Sequence, residues 1–183
     1  MVKDLIQIRR KMIVFYLQVE NIRNSIIQRF IKLESYYIYK FMLYLRYYEY
    51  FIAKKTNIII SFVRLICLKK YQQYATKLGF VIGDGVLGEN VKFFHRGSII
   101  INPGAKVGDG CKFHGDACIG VKKTGEEGAP VLGQNVDIGV GARILGDIYI
   151  ADNIIIGANS VVTQSFYEPG IVIAGIPAKK ILK

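Results

Sequence analysis

Hydrophobic side chains recur every six residues between Val131 and Thr163, and small or polar residues fill most of the positions between them. An α-helix needs a period near 3.6 and a single strand a period near 2, so neither explains this pattern. The same repeat runs earlier in the chain, and its members are Ile101, Val107, Phe113, Ile119, Leu132, Ile138, Ile144, Ile150, Ile156 and Val162. Such a repeat predicts a three-sided parallel β-helix, in which each side is a short strand with one side chain pointing inward.

Two intervals depart from the repeat. Ile82 and Ile101 are nineteen residues apart, one more than three hexads, and His95 lies between them. An extra residue predicts a bulge, and bulges often direct a side chain towards an active site. Ile119 and Leu132 are thirteen residues apart, so residues 121–130 are predicted to leave the coil as an exposed loop.

Residues 1–78 contain neither glycine nor proline and predict helices. The first has a continuous apolar stripe made of Leu5, Ile8, Met12, Phe15, Val19, Ile22, Ile26, Phe30 and Leu33. A second, aromatic-rich helix is predicted over 36–51 and a third over 58–75, with Asn57 as the N-cap of the third. The chain therefore divides into a helical segment, 1–78, and a β-helical domain, 79–183.

The helical segment also carries the charge. Up to Lys77 there are 15 basic and 4 acidic side chains, and the remainder is balanced at 10 and 10, so the net charge of +11 belongs to this segment. One interpretation is a helical bundle that packs on its own partners in an oligomer. Another is a basic, tyrosine-rich face resting on anionic membrane lipid. Binding of single-stranded nucleic acid is a third, but no recognition motif supports it, and we expect no nucleic-acid partner.

Cysteine content and hydropathy bear on location. Cys67, Cys111 and Cys118 form no CxxC pair and are odd in number, and the longest apolar run is too short to span a bilayer. No signal-peptide pattern opens the chain. We expect a reduced, cytoplasmic protein, with peripheral contact to the inner membrane face as the alternative that the basic segment leaves open.

The C-terminal domain resembles the hexapeptide-repeat acyltransferases, and within them the serine acetyltransferase family. The stretch IGVGARILGDIYIADNIIIGANSVVT is similar to the last coils of that family, and AGIPAKKI, residues 174–181, to its ending. FHRGSIIINPGAKVGDG resembles the segment that carries the catalytic histidine, which falls on His95. The resemblance implies a left-handed β-helix, a homotrimer, with pairing into a dimer of trimers left open, and acetyl-CoA bound between neighbouring subunits.

The chain also departs from that family. Where serine acetyltransferases place one aspartate fifteen residues before the histidine and another directly before it, Phe80 and Phe94 stand here. The Arg-His-Pro that helps to hold serine is replaced by Gly128-Ala129-Pro130. This pattern is similar to the serine-acetyltransferase-like enzymes of capsular and surface polysaccharide assembly, whose acceptor is a sugar hydroxyl.

The resemblance assigns His95 as the general base that takes the proton of the acceptor hydroxyl, a task that suits an imidazole near neutral pH. His114 follows nineteen residues later, about one coil, and is a candidate acceptor-site or catalytic residue close to His95. Small and basic residues are candidates for the pantetheine arm and the phosphates of CoA: Gly120, Lys122, Lys123, Gly139, Gly141, Ala142, Gly157, Lys179 and Lys180. Each of them also has an ordinary role in the fold or on the surface. We expect no metal site, since two histidines are too few ligands.

These observations favour an acetyl-CoA-dependent O-acetyltransferase that works through a ternary complex, with a sugar hydroxyl of surface polysaccharide synthesis as acceptor. The alternative within the same class is serine O-acetyltransferase of cysteine biosynthesis. The alternative from another class is a non-catalytic β-helix that serves as an assembly or binding module.

Overall fold

The computed structural model describes residues 1–17, 34–123, 125 and 127–181. The chain divides into two compact units, 1–78 and 79–183, at the residue where glycine first appears in the sequence. We call them the helical unit and the β-unit. Within the described residues no helix has both the length and the apolar character to cross a bilayer.

The described part of the helical unit consists of α1 (Val2–Leu17), α2 (Glu34–Ile52) and α3 (Ile58–Leu78). The second and third helices confirm the sequence-based prediction, with ends one to three residues longer. Asn57 is the predicted N-cap of α3: its Oδ1 accepts a hydrogen bond of 2.8 Å from the Ile60 N–H. The second half of the predicted first stripe, 18–33, lies outside the described residues.

Tyrosines hold α2 against α3. Tyr44 stacks on Tyr74 and Tyr48 on Tyr71, each pair with ring centroids 5.9 Å apart. Burial raises the pKa of Tyr39, which lies on α2 with 5 % of its surface exposed. The described tyrosines of this unit lie buried or half-buried, so they offer less exposed surface than the interpretation of a tyrosine-rich membrane face assumes.

The β-unit is a succession of very short strands. They are β1 (Phe80–Ile82), β2 (Lys92–Phe93), β3 (Ile99–Ile101), β4 (Lys106–Val107), β5 (Lys112–Phe113), β6 (Ala117–Gly120), β7 (Val131–Leu132), β8 (Asp137–Ile138), β9 (Arg143–Leu145), β10 (Tyr149–Ile150), β11 (Ile155–Ile156), β12 (Val161–Val162), β13 (Val172–Gly175) and β14 (Ala178–Lys180).

These strands form three sheets, and the chain visits the sheets in turn. The first sheet is β1-β3-β6-β9-β12, the second is β4-β7-β10, and the third is β2-β5-β8-β11-β13-β14. Every pairing is parallel except that of β13 with the terminal β14. In the later coils partners are eighteen residues apart, as in Asp137 with Ile155. This register is the one that a three-sided coil with six residues per side requires.

The core confirms the six-residue repeat. All ten hydrophobic positions named from the sequence point inward, with at most 3 % of their surface exposed. Aromatic side chains also fill this core: the Phe113 ring stacks on Phe93 with centroids 5.0 Å apart, and Phe93 packs at a tilted angle against Phe80 at 4.9 Å. Burial of this continuous column stabilises strands that are too short to be stable alone.

One corner between the second and third sheets needs a left-handed backbone in four successive coils. The residues there are Asn90, Gly110, Asn135 and Asn153, with φ between 54° and 70°. Glycine and asparagine adopt this conformation at lower cost than other residues. The turn therefore explains why three asparagines and one glycine stand at this corner.

Cys111 provides a test of the core. Its thiol is fully buried and donates a hydrogen bond to the Gly133 carbonyl over 3.2 Å, and burial raises its pKa to about 11. At a pH about three units lower, roughly one thiol in a thousand is ionised. We expect iodoacetamide to modify Cys118, which is half-exposed, well before Cys111 in the native protein. Peptide mass spectrometry measures both, and equal rates in guanidinium chloride are the control. Equal rates without denaturant would contradict the packing described.

Candidate active site

His95 lies in an enlarged corner between the third and first sheets. Five residues, 94–98, connect β2 to β3, whereas three residues, 114–116, make the same connection from β5 to β6. Strand pairing shows the same difference of two residues. Phe93 pairs with Phe113, twenty residues later, but Ile99 pairs with Ala117, eighteen residues later. The predicted bulge is thus present, with two added residues rather than one.

Asp116 holds the enlarged corner from the coil beneath it. Its Oδ1 accepts a hydrogen bond of 2.6 Å from the Ser98 N–H, and a methyl group at Gly97 would clash with the same carboxylate. The Phe94 N–H donates to the Phe113 carbonyl at 2.9 Å, which fixes the start of the corner. Sequence reasoning missed Asp116, although the eighteen-residue step from Ser98 was the signal that points to it.

The side chain of His95 is exposed and lies next to Gly115 of the following coil. A methyl group at Gly115 would lie 3.9 Å from the Cβ of His95 and 3.7 Å from Val140, one coil further along. Gly115 also has a φ of 141°, which favours glycine. His95, Gly115 and Val140 therefore lie one above the other along a single edge of the β-unit, which we call the histidine corner (residues 94–98, 114–116, 139–142 and 157–160).

His114 stacks on Phe94. The nineteen-residue spacing had instead predicted that it would lie beside His95. The two rings are stacked, with centroids 4.6 Å apart and planes 6° apart. The physical reason is that the coil is twenty residues long at this point, which shifts His114 by one residue. His114 remains in the histidine corner, directly beside the position of His95.

A carboxylate fixes the imidazole of His114. Its Nε2 lies 2.7 Å from Oδ1 of Asp137, and the other carboxylate oxygen of Asp137 lies 3.5 Å from the Lys112 ammonium. All three side chains are partly exposed, between 27 % and 46 %. The sequence did not indicate Asp137, because the loop at 121–130 lengthens this coil to twenty-five residues and hides the alignment.

The ring of Phe94 is held between the side chains of Lys92 and His114. The ammonium of Lys92 lies 4.8 Å from its centroid, while the His114 ring covers it from the next coil. Phe94 stands where the related family has an aspartate, so the surface before His95 offers an aromatic ring and a cation in place of a carboxylate.

The other departures from the family pattern are structural. Phe80 is 3 % exposed and packs against Phe93 inside the core, so the position fifteen residues before His95 faces inward and bears no charge. Of the replaced tripeptide, Ala129 and Pro130 are buried, and the Pro130 carbonyl accepts a hydrogen bond of 3.0 Å from the Lys106 N–H. Residues of this tripeptide thus anchor the end of the loop.

Several of the predicted CoA residues lie in the histidine corner with His95: Gly139, Gly141, Ala142 and Gly157. A methyl group at Gly139 would lie 2.6 Å from the Ala158 nitrogen, and one at Gly157 would lie 2.7 Å from the Ala174 Cβ. Close stacking of coils therefore explains these glycines. These small residues lie along the same corner as His95, Gly139 two coils and Gly157 three coils beyond it.

The remaining candidates lie elsewhere on the β-unit. At Gly120 a methyl group would meet nothing closer than 4.0 Å, so packing does not require this glycine. Lys122 extends along Gly146, whose added methyl would lie 3.1 Å from the lysine Cε, and Lys123 is exposed in the loop.

The two lysines of the terminal hairpin differ in their contacts. Lys179 pairs with Ala174 in the β13–β14 ladder and is exposed. The Lys180 ammonium lies 2.6 Å from Oε2 of Glu168, so this lysine is already paired. Among the described residues no group of three or more His, Cys, Asp or Glu side chains is arranged to hold a metal ion.

Comparison with known proteins identifies the fold. No family model matches the chain. The chain is 36 % identical over 106 residues to a protein named serine acetyltransferase from Buchnera aphidicola. The matched region covers 57 % of this chain and 33 % of that relative. The chain thus spans about a third of the length of this curated relative.

Solved structures give the same result at lower identity. Soybean serine acetyltransferase in complex with serine matches with a TM-score of 0.64 and 23 % identity, covering 80 % of this chain and 58 % of that one. Serine acetyltransferase from Brucella abortus in complex with coenzyme A matches with a TM-score of 0.60 and 21 % identity, covering 81 % and 55 %. At this identity the likeness shows the shared fold.

Proposed function

We propose that this protein is an acetyl-CoA-dependent O-acetyltransferase with His95 as general base. The observation that carries the proposal is the enlarged corner: it exposes His95 on the same corner of the coil as the small residues Gly139 and Gly157, in a fold shared with a coenzyme A complex. In this mechanism the imidazole takes the proton of an acceptor hydroxyl as its oxygen attacks the thioester carbonyl. The tetrahedral intermediate then expels CoA as the thiolate, which takes up a proton.

Two acceptors compete. The names of the relatives favour L-serine, and one matching structure contains serine. The local surface favours a sugar hydroxyl, because Phe94 and Lys92 stand before His95 where a serine ammonium group would need a carboxylate. The names of the relatives support L-serine more strongly than the missing carboxylates support a sugar. L-serine is therefore the first acceptor to test and the sugar hydroxyl the second.

The assembly is part of the proposal. We infer a left-handed winding of the coil and a homotrimer, with CoA bound between subunits, as the family resemblance implies. Outward-facing apolar side chains on the strands of the β-unit support association, namely Val81, Ile100 and Ile155, which are 43–63 % exposed.

Release of free thiol from acetyl-CoA tests the activity and the acceptor together. We expect turnover with a hydroxyl acceptor, measured for L-serine and in parallel for a panel of sugars and nucleotide sugars. Turnover with serine would make this a serine acetyltransferase whose missing carboxylates are replaced by other groups. Turnover with a sugar alone would support the second candidate.

Consumption of acetyl-CoA without any acceptor is the blank for this assay. No turnover with any acceptor, together with no binding of CoA by calorimetry, would favour the non-catalytic assembly module instead.

A further inference from the structure

The first half of α3 exposes a row of large apolar side chains. They are Ile58, Ile59, Phe62, Leu65 and Ile66, exposed by 86 %, 70 %, 65 %, 61 % and 43 %. Steps of one and three place them on a single side of the helix. The opposite side packs in the second half of α3, where Cys67 and Tyr71 are buried. A contiguous apolar surface of this kind marks an interaction site; we call it the α3 face.

Lysines stand at both ends of this face. Lys55 comes three residues before Ile58, and Lys69 and Lys70 follow Ile66 by one helical turn; all three are exposed. The sequence contains no aspartate or glutamate between Glu49 and Asp84, so the whole of α3 is free of negative charge. The α3 face therefore combines apolar side chains with cations and lacks anions.

We propose that the α3 face docks on an anionic lipid surface. Apolar side chains would enter the boundary between headgroups and acyl chains, and the flanking lysines would meet the phosphates. A helix that lies in the interface needs no membrane-spanning length, which agrees with the finding that no described helix could cross a bilayer.

Charge argues against a second copy of the chain as the occupant. The acidic side chains described in the helical unit are Asp4, Glu34 and Glu49, and Glu49 is bonded to Arg46 at 2.8 Å. Asp4 accepts a hydrogen bond of 2.8 Å from the Tyr50 hydroxyl. A copy whose helical unit met this face would bring lysines towards lysines with few carboxylates to offset them, whereas anionic lipid supplies a phosphate for each lysine.

Sedimentation with vesicles tests the proposal on the full chain. We expect binding to vesicles of phosphatidylglycerol and phosphatidylcholine in equal parts, and none to phosphatidylcholine alone. The double variant Lys69→Gln/Lys70→Gln should weaken binding roughly twentyfold. Ile59→Gln/Phe62→Gln should weaken it by about tenfold or more. Both pairs are exposed, so circular dichroism should match the parent protein.

The matched control is Ile6→Gln on α1, an apolar side chain of the same unit that is 50 % exposed but lies outside the α3 face. This control should bind vesicles as the parent does. The proposal fails if the parent does not sediment with anionic vesicles, or if Ile59→Gln/Phe62→Gln binds as well as the parent. It also fails if that variant changes the oligomer size by light scattering and leaves vesicle binding intact, since the face would then join copies of the chain.

Discussion

Replacement of His95 by alanine is expected to lower kcat for acetyl transfer roughly 10²- to 10⁴-fold, the usual contribution of a general base. Because the side chain is exposed on a corner held by Asp116, the variant should fold normally and keep its affinity for acetyl-CoA. The measurement is thiol release under saturating acetyl-CoA, using whichever acceptor the parent protein turns over. Unchanged turnover by His95→Ala would remove the proposed base.

His114→Ala is the matched control, because it removes the second histidine of the same corner. We expect a smaller loss of kcat and a higher KM for the acceptor, since His114 supports Phe94 and is itself fixed by Asp137. The reverse result, loss of turnover in His114→Ala and retention in His95→Ala, would assign the role of base to the His114–Asp137 pair.

Phe113→Ala is expected to have the largest effect on stability, a loss of about 3–5 kcal/mol in the free energy of unfolding of the β-unit. Phe113 has no exposed surface and lies in the centre of the coil, between Phe93 and Ile138. The coil cannot collapse around the cavity, because its strands are fixed by ladders on three sides. Unfolding in guanidinium chloride, followed by circular dichroism, measures the loss.

Phe94→Ala provides the control for this stability prediction. Phe94 directly follows Phe93, which belongs to the inward column, but its own side chain is 36 % exposed. Its removal should therefore lower the free energy of unfolding by less than about 1 kcal/mol. If Phe113→Ala fails to fold, Phe113→Leu should still fold with an intermediate loss. Equal losses in Phe113→Ala and Phe94→Ala would contradict the inward column.

Much of the fold could be predicted because the repeat is local and strict. Apolar side chains recur at every sixth residue, at positions such as Ile138 and Ile144. Neither a helix nor a single long strand would bury all of them, whereas a three-sided coil does. The boundary at Gly79 was visible for a similar reason, since tight corners and closely stacked coils favour glycine, and a segment with many glycines does not favour helices. The N-cap at Asn57 follows from a single side chain and its neighbouring N–H groups.

The candidate site was predictable only in part. The departure from the repeat around His95 was visible in the sequence, and so was the histidine itself. The partners were not, because a side chain meets its neighbour in the next coil and the length of each coil decides which neighbour that is. The additional residues in the corner shifted His114 from His95 to Phe94, and the loop at 121–130 placed Asp137 against His114 from twenty-five residues away.

The α3 face, like the candidate site, could be predicted from the sequence only in part. The acid-free, lysine-bearing sequence around Ile58 was visible from composition, but one interpretation of the sequence placed a tyrosine-rich face on the membrane. The tertiary structure uses four of those rings between α2 and α3, where Tyr44 stacks on Tyr74 and Tyr48 on Tyr71. The sequence by itself determined the hexad coil, the division into two units and the location of the charge, because each depends on residues close together in the chain. The neighbours of His95 and the exposed face of α3 depend on contacts between distant residues, and only packing selects those.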